Sequence, residues 1–347
     1  MPARHATLAR WQIDATHHTA ALGDLPLESG KRIEMFEQSY VTHGALDAQR
    51  RNAVVICSAI TGNHHRLDYL IGPGKAFDPA RWFIIACDAI GNGLSTSPSN
   101  SQRQPKMQFP AFSIRDMIAA QHALITRHLG IEHLAVVIGA SMGGMQALQW
   151  AVSHPRMMDK IVALTPMART SAWSLVVNET TRACLMADPA WNGHEFTAVP
   201  VRGWKAWVNV QRVLASRTPE AIAHDFGNPQ CVLAWTAALR EQWLADGFDA
   251  HDFLYQSRAY DAHDVGSTPG FDGETKRALA SIEAPALVLA PPLDLYNPAA
   301  EARAAASAIP GARYVEIPSR QGHQSASATA EDDVRFLNRV IGDFVAN

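Results

Sequence analysis

Ser141, Asp294 and His323 are the residues of this chain whose types and order suit covalent catalysis. Ser141 stands in Gly139-Ala-Ser-Met-Gly143, between the apolar run Leu134 to Ile138 and the helix-compatible Met145-Gln-Ala-Leu-Gln-Trp150. Strand, tight turn and helix in that order make G-x-S-x-G a nucleophile elbow, with the serine on a strained turn. The flanking glycines are needed because a Cβ there would collide with the turn. The opening helix directs N–H groups and partial positive charge to where an oxyanion would form. A serine hydroxyl needs a base, and the base needs an orienting carboxylate. Asp294 leaves the strand-like run at Leu289, and His323 follows the next one, at Ile317, with Gly322 letting its loop approach the serine. Singly, an Asp in a turn and a His on a loop are ordinary. Together, in the order Ser, Asp, His and each at a strand end, they predict acyl transfer through an acyl-serine.

Such an intermediate needs an oxyanion hole. The expected donors are the N–H of Met142, next to the nucleophile, and that of Ile60 in the loop Ser58-Ala-Ile-Thr-Gly-Asn-His-His65, where Gly62 allows close backbone approach. The His64-His65 pair invites a metal reading. Adjacent residues are expected to point apart and no third ligand at suitable spacing is visible, so a loop or pocket-rim role is expected and no metal. Asp88-Ala-Ile-Gly-Asn-Gly93-Leu-Ser-Thr-Ser-Pro98 is Gly-rich but lacks both the third glycine of a dinucleotide fingerprint and the Gly-Lys-Thr of a phosphate loop. It reads as a tight loop at the C-terminal edge of a sheet.

The elements that must position these groups alternate. Ala53–Ile60, Trp82–Cys87, Leu134–Ile138 and Lys160–Leu164 are apolar runs of strand length, and Ile114 to Leu129 has helical spacing. After Glu283 the grammar resumes: strand Ala286–Ala290, helix Ala299–Ile309, strand Tyr314–Ile317, and an amphipathic helix from Val334 to Val345. This predicts an α/β fold with a mostly parallel, doubly wound sheet. The stretch 170–276 is helical in pattern and holds six of the nine tryptophans, as a lid over a pocket or an oligomer interface would. The expected organisation is a core in two parts, 1–169 and 277–347, with the lid inserted at 170–276.

Composition narrows the rest. A net charge of −3 over 347 residues gives no footprint for nucleic acid or an anionic membrane. The four cysteines, Cys57, Cys87, Cys184 and Cys231, form no C-x-x-C pair, so neither a disulfide framework nor a zinc site is suggested. Met1 to Thr19 is polar and His-rich, without the apolar core of a signal peptide, so a cytoplasmic enzyme is expected.

Ala59-Ile-Thr-Gly62, Gly139-Ala-Ser-Met-Gly-Gly-Met-Gln-Ala-Leu-Gln-Trp150 and Met186-Ala-Asp-Pro-Ala-Trp-Asn-Gly193, with the Asp294 and Gly322-His323 loops, resemble the homoserine O-acetyltransferases. The resemblance implies an α/β-hydrolase core, a helical lid, ping-pong acyl transfer through Ser141, and a homodimer joined by the lid helices. It also exposes departures. In that family an Asp after the catalytic His holds the substrate's amino group, and a lid Arg and Tyr hold its carboxylate. Aligned here, those positions are Gln324, Asn209 and Ser216. A dehydrated pocket must supply an opposite charge to each end of a zwitterion or bear several kcal/mol of desolvation. Three neutral residues suit homoserine poorly, which makes water the expected second nucleophile. The expectation is a cofactor-free hydrolase of small, acetyl-type carboxylic esters. The alternative is an O-acyltransferase with acetyl-CoA as co-substrate, Arg182 or Arg212 serving its phosphates. A non-catalytic binding protein is the third reading, and the intact triad speaks against it.

Overall fold

The computed structural model describes residues 11–346. Of the polar stretch Met1 to Thr19, residues 1–10 lie outside the described residues. The core begins with an antiparallel pair, β1 (His17–Pro26) and β2 (Arg32–His43). Then come β3 (Ala53–Cys57), β4 (Phe83–Cys87), α1 (Ile114–Ala123), β5 (Leu134–Ala140), α2 (Met142–Ser153) and β6 (Met158–Leu164). After the lid the chain returns with α8 (Thr275–Ala280), β7 (Ala286–Ala290), α9 (Ala299–Ala308), β8 (Arg313–Glu316) and α10 (Glu331–Ala346). The sheet order is β1-β2-β4-β3-β5-β6-β7-β8, parallel from β4 onward.

Every residue of β3, β5 and β7 is buried. Strands covered on both faces read as continuous apolar runs, which is why they were visible in the sequence. Each buried Val, Ile or Leu side chain contributes roughly 1.5–3 kcal/mol, so these strands anchor the site at their C-terminal ends. One face packs against α1, α2, α8 and α9, the other against α10 and a 3-10 turn, His64–Leu70. The β1/β2 pair was not legible. β1 has its outer residues half or fully exposed and carries two histidines, a threonine and a glycine, so no period-2 apolar pattern marks it.

Between β6 and β7 lie α3 (Ala172–Met186), α4 (Val201–Val208), a π-helical segment (Asn209–Ala215), α5 (Pro219–Asp225), α6 (Pro229–Asp246) and α7 (Ala250–Asp261). Trp204, Trp207 and Trp243 pack with Phe253 and Leu185 into a separate core for these helices. The Trp207 and Trp243 rings stack at 4.5 Å, and Trp204 meets Trp207 edge-on at 5.3 Å. These tryptophans therefore fill the lid's own interior, and Trp207 also lines the cavity over Ser141. No helix among the described residues is long and apolar enough to cross a membrane.

Candidate active site

The turn between β5 and α2 holds Ser141 at φ 58° and ψ −122°. A non-glycine residue there costs about 1–3 kcal/mol and persists only where its surroundings enforce it. Three glycines do so. A Cβ on Gly139 would stand 2.2 Å from the Gly143 carbonyl, on Gly143 2.3 Å from the Cys57 oxygen, and on Gly144 2.7 Å from the Leu164 oxygen. The Ser141 N–H donates to the Leu164 carbonyl at 2.9 Å and to Thr165 Oγ1 at 3.2 Å. These contacts pin the turn to β3 on one side and β6 on the other.

The fold brings Ser141, Asp294 and His323 into one hydrogen-bonded chain. His323 Nε2 lies 2.9 Å from Ser141 Oγ, and His323 Nδ1 lies 2.7 Å from Asp294 Oδ2. Asp294 Oδ1 accepts the N–H groups of Tyr296 at 2.9 Å and Asn297 at 2.8 Å, so its other oxygen is aimed at the imidazole. A carboxylate on Nδ1 holds that proton there and leaves the Nε2 lone pair facing the serine. All three side chains are buried. The arrangement can take the serine proton and return it to a leaving group.

Met142 opens α2, and Ile60 lines the cavity. Neither N–H has an acceptor among the described residues, as two oxyanion donors require. The Ile60 loop is braced from three sides. Gln146 of α2 donates to the Ser58 carbonyl at 2.8 Å, Thr61 at φ 54° donates its N–H to Gln256 Oε1 at 3.1 Å, and Ala89 donates to Ser58 Oγ at 2.9 Å. The Asp88–Pro98 segment is a loop at the strand ends, with Asp88 as its buried anchor.

Sequence reasoning missed several neighbours. The Tyr260 hydroxyl of α7 donates to Asn297 Oδ1 at 2.5 Å and also contacts the Ser141 side chain. Asn297 Nδ2 in turn donates to the Thr165 carbonyl at 2.7 Å, tying the Asp294 loop to the elbow. The Tyr296 ring meets His323 edge-on at 5.0 Å. A buried Tyr with a polar tip is a usable signal only once the lid is folded onto the core.

The chain is 33% identical to a homoserine O-acetyltransferase of Nostoc punctiforme, over 91% of this chain and 92% of the relative. A family profile described as alpha/beta hydrolase fold matches residues 52–201. The chain belongs to the homoserine O-acetyltransferase-like family of α/β-hydrolases. Among solved structures, the acetyl esterase MekB superposes with a TM-score of 0.89 at 26% identity, covering 96% of this chain and 97% of that one. An acetylester hydrolase from Corynebacterium glutamicum gives 0.88 at 26%, covering 96% of each. The chain is thus an enzyme acting on acyl groups.

The lining of the cavity over Ser141 differs from the expected set in one residue. Ser216 and Gln324 line the cavity over Ser141, joined by the Gln324 N–H donating to the Ser216 carbonyl at 3.2 Å. Asn209 does not line it. Its Oδ1 accepts from Arg240 at 3.1 Å instead. Asn209–Ala215 winds as a π-helix, whose i→i+5 bonding rotates its side chains away from regular α-helical positions. Gln211 and Arg212 reach the cavity in its place. Arg66, from the 3-10 turn after the Ile60 loop, lines the same wall. Neither guanidinium forms an ion pair among the described residues, and Arg66 Nε is buried without a partner. Burial, then the charges of Arg66 and Arg217, pull Arg212 down to about 10, which still leaves it cationic at neutral pH. Arg182 is committed elsewhere, at 2.6 Å from Asp261 and 2.7 Å from Glu179. The pocket is therefore cationic rather than neutral.

Proposed function

We propose that the protein hydrolyses small, acetyl-type carboxylic esters that carry a negatively charged group. One observation carries this reading: Arg66 and Arg212 line the cavity over Ser141 without carboxylate partners, and no acidic side chain lines it. An ammonium group has no counterion there, whereas an anion has two. Gln324, where the family's transferases have an acid, supports water as the acceptor of the acyl group.

In the reaction Ser141 Oγ attacks the ester carbonyl while His323 Nε2 takes its proton. The N–H groups of Met142 and Ile60 hold the tetrahedral oxyanion. Donors of this kind contribute about 2.7–4 kcal/mol each to transition-state stabilisation. Collapse expels the alcohol, protonated by His323, and leaves the acyl-serine. His323 then activates a water that attacks the acyl carbon, and collapse of the second intermediate frees the acid and restores Ser141. Asp294 orients the imidazole and stabilises its charged form throughout. No cofactor enters the sequence.

A second reading is an acyl-CoA-dependent O-acyltransferase, as the name of the Nostoc relative suggests. The observation favouring it is the same arginine pair, which suits an amino-acid carboxylate or a thioester's phosphates. The test supplies an acetate ester alone and, separately, acetyl-CoA with and without homoserine, following acetate, free thiol and O-acetylhomoserine. Hydrolysis of the ester, lowered about 10⁴-fold or more in kcat by Ser141→Ala, is expected. Homoserine-dependent thiol release would overturn hydrolysis as the main activity.

A further inference from the structure

We propose that His17, His64 and His65 bind a divalent transition-metal ion of the zinc class, at a site separate from the Ser141 cavity. His64 and His65 were expected to point apart and to lack a third partner. The 3-10 turn instead brings their rings to 4.2 Å between centroids, and β1 delivers His17 to 4.3 Å from His64. One ligating atom from each of the three lies within 4.8 Å of the other two. Zinc–imidazole bonds of about 2.0–2.1 Å in a tetrahedron set nitrogens roughly 3.4 Å apart, so modest side-chain rotation closes the triangle.

The surroundings are those of metal ligands. His64 Nδ1 lies 3.0 Å from Asp88 Oδ2, and His65 Nδ1 lies 2.7 Å from Asp68 Oδ2. A carboxylate behind each Nδ1 holds the proton on that nitrogen, leaving a lone pair on Nε2 for a metal. Asp88 is itself fixed, accepting from Ser39 Oγ at 2.8 Å, Asn92 Nδ2 at 3.0 Å and the His64 N–H at 2.9 Å. The His64 side chain is fully buried, yet its Nε2 has no hydrogen-bond partner among the described residues. Leaving that atom bare costs about 1–3 kcal/mol. A bound cation removes the deficit. His17 is half-buried and gives the ion a path from solvent.

Three imidazoles suit Zn²⁺ and its neighbours rather than Mg²⁺ or Ca²⁺, and leave one position for water. The ion would join β1 to the loop that carries Ile60, four residues before His64. Its role is to clamp the oxyanion loop, with no part in the acyl-transfer steps.

The test uses the full chain stripped with a chelator, dialysed and titrated with Zn²⁺ alone, read by calorimetry and by elemental analysis after gel filtration. One equivalent per chain is expected, with the thermal midpoint rising as zinc is added. His64→Ala should weaken binding on the order of 100-fold or more, and Asp88→Asn on the order of 10- to 100-fold. Because both positions are buried, His17→Ala, at a half-buried position, and His65→Ala are added, with folding of each verified by circular dichroism. Substoichiometric binding by the wild-type chain, or unchanged affinity in folded His17→Ala and His65→Ala, would overturn the site.

Discussion

Arg66 and Arg212 reach one cavity from different parts of the chain, one from the core loop and one from the lid, and each meets an environment that would normally exclude it. Burial lowers both, and Arg212 lies over the Trp243 ring at 5.6 Å without an ion pair among the described residues. A hydrogen bond to a charged group contributes about 1.5–3 kcal/mol, a factor of roughly 10 to 150 in binding. Arg212→Met keeps the aliphatic stem and removes the charge. It should raise KM for a carboxylate-bearing acetate ester within that range and leave KM for a neutral ester of equal size nearly unchanged. Equal losses on both esters would mean that Arg212 shapes the pocket without recognising charge.

At the level of elements, the elbow works because β5, α2 and β3 approach more closely than side chains permit. Gly143 faces the Cys57 and Ser58 carbonyls at the end of β3, where the Ile60 loop begins. β3 is fully buried between β4 and β5 and has no room to retreat. Gly143→Ala should therefore displace the loop, at a cost of about 1–3 kcal/mol in stability and roughly 10²-fold in kcat through the lost oxyanion donor. Thermal unfolding and steady-state kinetics on one preparation would test this. A variant with wild-type kcat would show that the loop does not depend on this contact.

For the whole molecule, the lid is fastened to the core through a buried carboxyl. Asp252 of α7 accepts the Ser99 hydroxyl at 2.6 Å and the Ser99 N–H at 2.9 Å. Burial, then the charge of Asp249, pushes its pKa up to about 8 from an ordinary 3.8. Between those values the folded state keeps a proton that the unfolded chain has released, so this group's contribution to stability falls as pH rises and levels off above about 8. His154 and His263 act in the opposite sense. Burial pulls both down to about 4, so their contribution is lost as pH falls from 6.5 through about 4. Comparison with Asp252→Asn isolates the carboxyl. The variant's urea midpoint, relative to wild type, should climb steadily from pH 5 to pH 8, and a pH-independent difference would rule out a proton held by Asp252.

What the sequence determined by itself is what local chemistry encodes. Continuous apolar runs of strand length, most of them ending in turn residues, read as strands buried on both faces, so β3 to β7 were legible. Glycines around Ser141 can only serve a turn too tight for a Cβ, so the elbow was legible with its helix. The order of Asp294 and His323 at strand ends pointed to the chain of hydrogen bonds that the fold assembles. The half-exposed β1 was not legible, because its outer residues answer to solvent as much as to a core. Neither was the lid register, because a π-helical segment turns Asn209 away and Arg212 inward without a mark in the spacing of apolar residues. Tertiary structure alone decided that Arg66 and Arg212 share a wall and that His17 joins His64 and His65. Such meetings depend on how distant elements dock, and docking is set by packing over the whole core. The nucleophile was thus written locally, while the positive charge that faces it across the cavity was decided by the fold.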